Sequence, residues 1–307
     1  MIDRRTLLAA AGTTALLGWP AHAAKPASTK SSSIKVGSFK VTTFTDGHLS
    51  LPASMSAPKA DAAARTAALK AAGQHGATVA SPLNVTLIET GKDKILVDVG
   101  SGPRFMETAG KLVESLETAG IDPEKITKII YTHAHPDHIW GTVNDFDELS
   151  FPNAAYYISE AEWNFWMAKD VLTKLPKENH GFAVGAQRNL KAVKAQLTTI
   201  KPGKELLPGI NVLSTPGHTP GHISLEIGSD KEAIVVLGDA LTHPVISFEH
   251  PNWQPANDQQ PDKAVATRNQ LLDKLATDNN RIIGYHLPVP GLGIVERQGT
   301  GFKFNQA

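Results

Sequence analysis

The sequence predicts an α/β fold in which two mixed β-sheets pack face to face with helices on their outer sides. Three observations lead there. Short strand patterns alternate with helical ones along most of the chain, the first elements read as an antiparallel pair, and the second half repeats the strand and helix order of the first. Elements that are apolar on one face bury that face in stacked layers.

Met1 to Ala23 reads as a targeting segment removed from the mature protein: Arg4-Arg5, an apolar Ala/Leu-rich run to Trp19, then Ala21-His22-Ala23 as a small-x-small cleavage site. The run is too short for a permanent span. The paired arginines resemble a twin-arginine signal, which implies an exported, periplasmic or secreted protein. Residues 24–33 are small and polar, a solvated linker, so the folded domain is expected over 34–307.

Alternation from Ile34 to Phe44 predicts a strand, and Asp46-Gly47 a turn into a second short strand. Lys59 to Ala72 is Ala-rich with charges at helical spacing, a surface helix or the contact of a homodimer. Leu83–Glu89 and Ile95–Val99 form a hairpin whose second arm is almost wholly apolar and therefore central. A helix is expected from Arg104 to Ala119, stopped by Gly120, and a buried strand from Ile126 to Thr132. Next come a strand at Ala154–Ile158 and helices at Ser159–Lys169 and Val184–Leu197. Strands follow at Glu205–Leu207, Ile210–Ser214, Ile223–Ile227 and Ala233–Leu237. Pro261, whose fixed φ suits a first turn, opens a helix to Ala276, and Arg281–Tyr285 is a last strand.

Composition narrows the chemistry. Thirty Lys and Arg balance thirty Asp and Glu, so no basic field gathers nucleic acid or an anionic membrane. There is no cysteine, which excludes disulfides, thiolate metal sites and a Cys nucleophile. Any metal must be held by His, Asp and Glu.

The densest run of such residues is Thr132-His133-Ala134-His135-Pro136-Asp137-His138, directly after a buried strand that Pro136 prevents from continuing. In an extended segment His133 and His135 project to the same side, so one metal can take both imidazoles, while Asp137 and His138 face a neighbouring position after the turn. Without a metal, these groups would crowd one pocket at a desolvation cost. Further candidates also follow strand ends: Pro216-Gly217-His218-Thr219-Pro220-Gly221-His222, Gly238-Asp239, and Tyr285-His286.

HxHxDH, a PGHTPGH turn, a GD after an apolar strand and a late strand-end His together resemble the metallo-β-lactamase superfamily. Asp46-Gly47, Asp98-Val99-Gly100, Asn164-Phe165-Trp166, Gly181-Phe182 and the tail from His286-Leu287-Pro288 to Gly293 are similar to its methyl parathion hydrolase and acyl-homoserine lactonase-like branch. The resemblance implies a four-layer αβ/βα sandwich with a dinuclear site along one edge. Carried over by motif position, His133, His135 and His218 hold one metal and Asp137, His138 and His286 the other, with Asp239 bridging. The cofactors implied are two divalent ions, zinc first, with manganese, iron or cobalt also compatible. A hydroxide between them would be the nucleophile, with Asp137 and Asp239 as catalytic carboxylates. Asp98 matches the carboxylate that orients a metal-bound imidazole, or else it is a turn carboxylate before Gly100.

In that branch, segments containing Phe105, Trp166 and Phe182 line the entrance, which suits a small neutral hydrophobic ester or lactone and not a nucleic acid. Trp140 stands where the superfamily often has Gly, and a bulky indole there is expected to narrow the pocket. His243, four residues beyond Asp239, is expected to face the pocket; His222 is expected to bond nearby backbone. The function implied is an exported dinuclear hydrolase of a lactone or carboxylic ester, with organophosphate triesters as further substrates. A mononuclear iron sulfur dioxygenase and a thioester hydrolase of the glyoxalase II kind are the alternatives.

Overall fold

The computed structural model describes residues 31–228 and 232–307. The targeting segment lies outside the described residues. Among those described, no helix is long and apolar enough to cross a membrane.

Two seven-stranded sheets form, each from one continuous stretch of chain. The first places β1 (Ser32–Val36), β2 (Phe39–Pro52), β3 (Thr78–Glu89), β4 (Lys94–Val97), β5 (Lys128–Ile130), β6 (Ala155–Ser159) and β7 (Leu197–Ile200) side by side in chain order. The second runs, from its far edge inward, from β8 (Glu205–Leu207) through β9 (Ile210–Ser214), β10 (Ile223–Ile227), β11 (Ile234–Val236), β12 (Arg281–Ile283) and β13 (Leu292–Gln298) to β14 (Gly301–Gln306). Both are mixed: β4 to β7 pair in parallel, as do β11 and β12, and the remaining pairs are antiparallel.

Strand alternation builds the layers. Ile95 and Val97 of β4 and Ile130 of β5 face Ile234, Val236 and Ile283 of the other sheet in the central core, while Leu96 and Ile129 point outward. The outward set packs under Leu112 and Leu116 of α2 (Leu112–Thr118), Trp166 of α4 (Glu160–Trp166) and Ala186 and Leu190 of α6 (His180–Ala192). Val235 and Ile282 likewise point away from the centre, onto Leu271, Leu272 and Leu275 of the helix over Pro261–Asp278. Each fully buried aliphatic side chain contributes about 2 kcal/mol, and a one-residue slip in any strand would turn its set to the wrong layer. The expected two-sheet α/β sandwich is the fold observed.

Several elements differ from the sequence expectation. The opening hairpin turns at Gly37 (φ +55°), and Asp46-Gly47 is a bulge inside the long β2, not a turn. Gly47 takes φ +101° there, and the Asp46 carboxylate leaves the strand to accept from the Ser101, Gly110 and Leu112 N–H groups. Residues 104–111 are mostly irregular because Gly110 breaks the helix before it starts at Leu112. Leu197, expected to end a helix, instead opens the edge strand β7. Helix α1 (Ala62–Ala71), capped by Asp61, buries only Ala68 and Leu69 and leaves its other face exposed.

Candidate metal centre

The parallel strands β4, β5, β11 and β12 all end at one rim of the sandwich. Asp98 follows β4, the 131–138 segment follows β5, Asp239 follows β11 and His286 follows β12. The His218 turn joins β9 to β10 and reaches the same rim. Pro136 starts the single-turn helix α3 (Pro136–Ile139), with His135 just before it and Asp137 and His138 on its first residues.

All seven candidate ligands are buried and converge. Nδ1 of His135 lies 2.8 Å from Nε2 of His218 and 3.1 Å from Nε2 of His133. Oδ2 of Asp137 lies 3.5 Å from Nε2 of His138 and 3.3 Å from Nε2 of His286. Asp239 stands between the groups, with Oδ1 3.2 Å from Nε2 of His138 and Oδ2 3.2 Å from Nε2 of both His218 and His286. His133, His135 and His218 form one set able to close on an ion, and Asp137, His138 and His286 another.

The donor atoms themselves test whether cations fit. Asp137 Oδ2, His138 Nε2 and Asp239 Oδ1 are buried without a hydrogen-bond partner, although all three face one another. Orphaned polar atoms at such a density are costly unless an ion joins them. Burial alone would raise the Asp239 carboxyl, but His286, His138 and His218 around it hold it well below the usual carboxylate range. Burial would do the same to Asp137, and His138 and His286 overcome it. Burial and neighbouring imidazoles push His133 and His135 down, leaving them neutral. Burial would push His138, His218 and His286 down as well, but Asp239 beside them overcomes it and pushes them up, His218 to about 9 and His286 to about 10. These three therefore carry protons that a bound cation would displace; ionised carboxylates and neutral imidazoles are the ligating forms.

Each imidazole is fixed from behind. Asp98 Oδ2 lies 2.8 Å from His138 Nδ1, and its carboxylate also accepts from the Thr132 N–H and hydroxyl. Asp98 adopts φ +64°, so its backbone is bent away from the strand to aim that carboxylate. His286 Nδ1 lies 3.0 Å from both the Ser81 hydroxyl and the Pro82 carbonyl. His135 Nε2 meets the side-chain amide of Gln259 at 3.1 Å, and with the amide oxygen on that side it accepts the imidazole N–H. Tyr285 stacks on His138 and donates its hydroxyl to the Asp137 carbonyl at 2.6 Å.

Sequence reasoning missed Glu162. Its carboxylate is fully buried and accepts from Ala134 N–H, Trp166 Nε1–H, the Thr219 hydroxyl and Gly221 N–H. It thereby ties the loop carrying His133 and His135 to the turn carrying His218. Asp258 and Arg268 were also missed; Asp258 lies behind His218 at 3.1 Å from Nδ1. No local motif marks any of these three.

A cleft opens over Asp137, Asp239 and His286. Leu49, Leu51, Met55, Val79, Phe105 and Phe182 make its walls apolar, and among the described residues no Lys or Arg lines it. His243 also lines it, donating through Nε2 to Gln74 while Nδ1 accepts the N–H groups of Val245 and Ile246. Two expected pocket aromatics are elsewhere. Trp166 is fully buried, its indole N–H held by Glu162, because it lies on the inward face of α4. The Trp140 ring turns away from the cleft to pack on Gly185 and edge-on to Phe105, since α3 rotates it off the face that carries Asp137 and His138.

The metallo-beta-lactamase superfamily profile matches residues 79–286. An N-acyl homoserine lactonase of Bacillus sp. is 27% identical over 191 residues, 55% of this chain and 67% of that protein. Metallo-beta-lactamase domain-containing protein 1 of Xenopus laevis is 29% identical over 192 residues, 62% of this chain and 65% of that protein. The chain thus spans about two thirds of the length of these curated relatives. Among solved structures, AidC, a dizinc quorum-quenching lactonase with a homoserine product, superposes with TM-score 0.85 at 32% identity. AbOPH, a hydrolase in the β-lactamase superfamily, superposes with TM-score 0.84 at 29% identity. Both alignments cover 90% of this chain and 97% of the other. Sandwich, rim site and profile agree: the chain belongs to the metallo-beta-lactamase superfamily.

Proposed function

We propose that the chain is a dinuclear zinc hydrolase of lactones that carry an apolar acyl chain, with simple carboxylic esters and organophosphate triesters as slower substrates. The observation that carries this reading is the apolar cleft, without Lys or Arg among the described residues, that ends on Asp137, Asp239 and His286. A neutral ester with a hydrocarbon tail suits such walls, whereas a nucleotide or glutathione conjugate needs cations. The similarity to lactonases, one of them dizinc, supports the same substrate class.

His133, His135 and His218 would hold one ion, Asp137, His138 and His286 the other, and Asp239 would reach both. When bound, two divalent cations supply polarisation of the scissile carbonyl and an activated water at neutral pH. The chain orients the donors: Asp98 and Tyr285 fix His138, and Ser81 fixes His286. Phe105 and Phe182 exclude water from the acyl side. Because the Tyr285 hydroxyl is spent on the Asp137 carbonyl, it is not the acid for the leaving alcohol. Asp137, an ionised carboxylate lining the cleft, accepts a hydrogen bond from the attacking water and orients it.

The test is hydrolysis by zinc-loaded protein of N-hexanoyl homoserine lactone, an aryl acetate and methyl parathion. Lactone turnover should lead by at least about tenfold, the worth of about 1.4 kcal/mol of differential transition-state binding. No lactone turnover above buffer would sink the reading. The same proposal places the enzyme outside the cytoplasm, on the strength of Arg4-Arg5 and Ala21-His22-Ala23. N-terminal sequencing of periplasmic protein should begin near Ala24.

A further inference from the structure

Behind His218 lies a buried ion pair that no motif announces. Asp258 Oδ1 meets His218 Nδ1 at 3.1 Å, and Asp258 Oδ2 accepts from Arg268 Nη2 at 2.9 Å. Both side chains are almost wholly buried. Arg268, inside the Pro261–Asp278 helix (α8), also donates through Nη1 to the Pro251 and Trp253 carbonyls, 2.9 Å each. The segment before that helix is pinned to the His218 turn, since Gln259 N–H donates to the His218 carbonyl and Gln260 N–H to the Gly217 carbonyl.

We infer that Asp258, held by Arg268, is a positioning residue for His218 that sets the metal affinity of the His133/His135/His218 group separately from that of the other group. A buried carboxylate that accepts an imidazole N–H fixes the tautomer with the free electron pair on the opposite nitrogen and makes that nitrogen a stronger ligand. Asp98 stands in the same relation to His138, so each group contains one carboxylate-backed imidazole. The two backings differ in charge. Asp98 is satisfied by the neutral donors of Thr132, whereas Asp258 is neutralised by a guanidinium. The His133/His135/His218 group, with no carboxylate among its own three donors, depends more on that single backing than does the group containing Asp137.

The inference rests on the two-metal reading, not on the substrate. The test is chelator competition on cobalt-loaded protein, followed by cobalt absorption, for wild type, Asp258→Asn and the double variant Asp258→Asn/Arg268→Met. Asp258→Asn strands a buried guanidinium and can unfold; the double variant removes both charges together. Wild type should release two cobalt ions in separate steps. In a folded variant one step should weaken about ten- to hundredfold, with a changed cobalt spectrum, while the other stays in place. Two unchanged steps in the double variant would overturn the role of Asp258, as would equal weakening of both. Wild type binding only one ion would overturn the two-metal reading and this inference with it.

Discussion

His222 accepts the backbone N–H of Asp239 through Nε2 at 2.9 Å, while its Nδ1 faces the Thr215 carbonyl at 3.0 Å. The second histidine of the PGHTPGH turn is thus no ligand; it holds the backbone of the carboxylate that stands between the two metal groups. Gly238 is required beside it, because at φ +54° a Cβ would lie 2.7 Å from His222 Nε2. His222→Ala should destabilise metal-free protein by about 1–3 kcal/mol, the cost of leaving the Asp239 N–H buried and unsatisfied. Urea unfolding reads that directly, and unchanged stability would show that the bond carries nothing.

Glu162→Gln should cost a further amount of about 1–3 kcal/mol. Each oxygen of Glu162 accepts two hydrogen bonds, one of them from a backbone N–H, Ala134 on one side and Gly221 on the other. An amide nitrogen in either place therefore faces an N–H that cannot rotate away. Equilibrium unfolding of the metal-free variant checks the loss, and metal content checks the expected loosening of His218 against His133 and His135.

Burial holds the His243 imidazole down at about 4, against an ordinary value of 6.5. Between those values the unfolded chain binds the extra proton, so stability from this residue is complete above about pH 6.5 and is lost as pH falls towards 4. The loss approaches about 3 kcal/mol. Wild type should lose more stability than His243→Gln between pH 7 and pH 4, measured by urea unfolding. Parallel pH slopes would contradict the burial argument.

Phe105→Ala and Phe182→Ala should each raise KM for a long-chain acyl lactone by about tenfold, one aromatic contact of about 1.5 kcal/mol, and leave kcat for a short-chain one nearly unchanged. Trp140→Phe should do neither, because its ring packs on Gly185 and away from the cleft. A KM effect at Trp140 equal to that at Phe105 would contradict the lining.

The ligands were legible because their chemistry is local. HxHxDH and PGHTPGH concentrate five of the seven candidate residues in two short runs, and Asp239 and His286 each follow an apolar strand. The layers were legible for the same reason, since strands such as Ile95–Val97 and Ile234–Val236 admit only a buried position. What stayed hidden depends on distant partners. Glu162 meets Thr219 and Gly221 from across the fold, and Asp258 is defined by His218 and Arg268. Side-chain direction was hidden too: Trp140 adjoins the ligand run and Trp166 lies on α4, but helical rotation decides what each faces. Asp46-Gly47 looked like a turn because bulges and turns ask for the same residues.

Under the proposed function, two ions and Asp239 act together on an ester bond. Metal analysis of purified protein, paired with lactone hydrolysis by wild type and Asp239→Asn, tests it most directly. Two divalent ions per chain are expected, with turnover that Asp239→Asn loses together with at least one ion. A single iron per chain, oxygen consumption and no hydrolysis would contradict it.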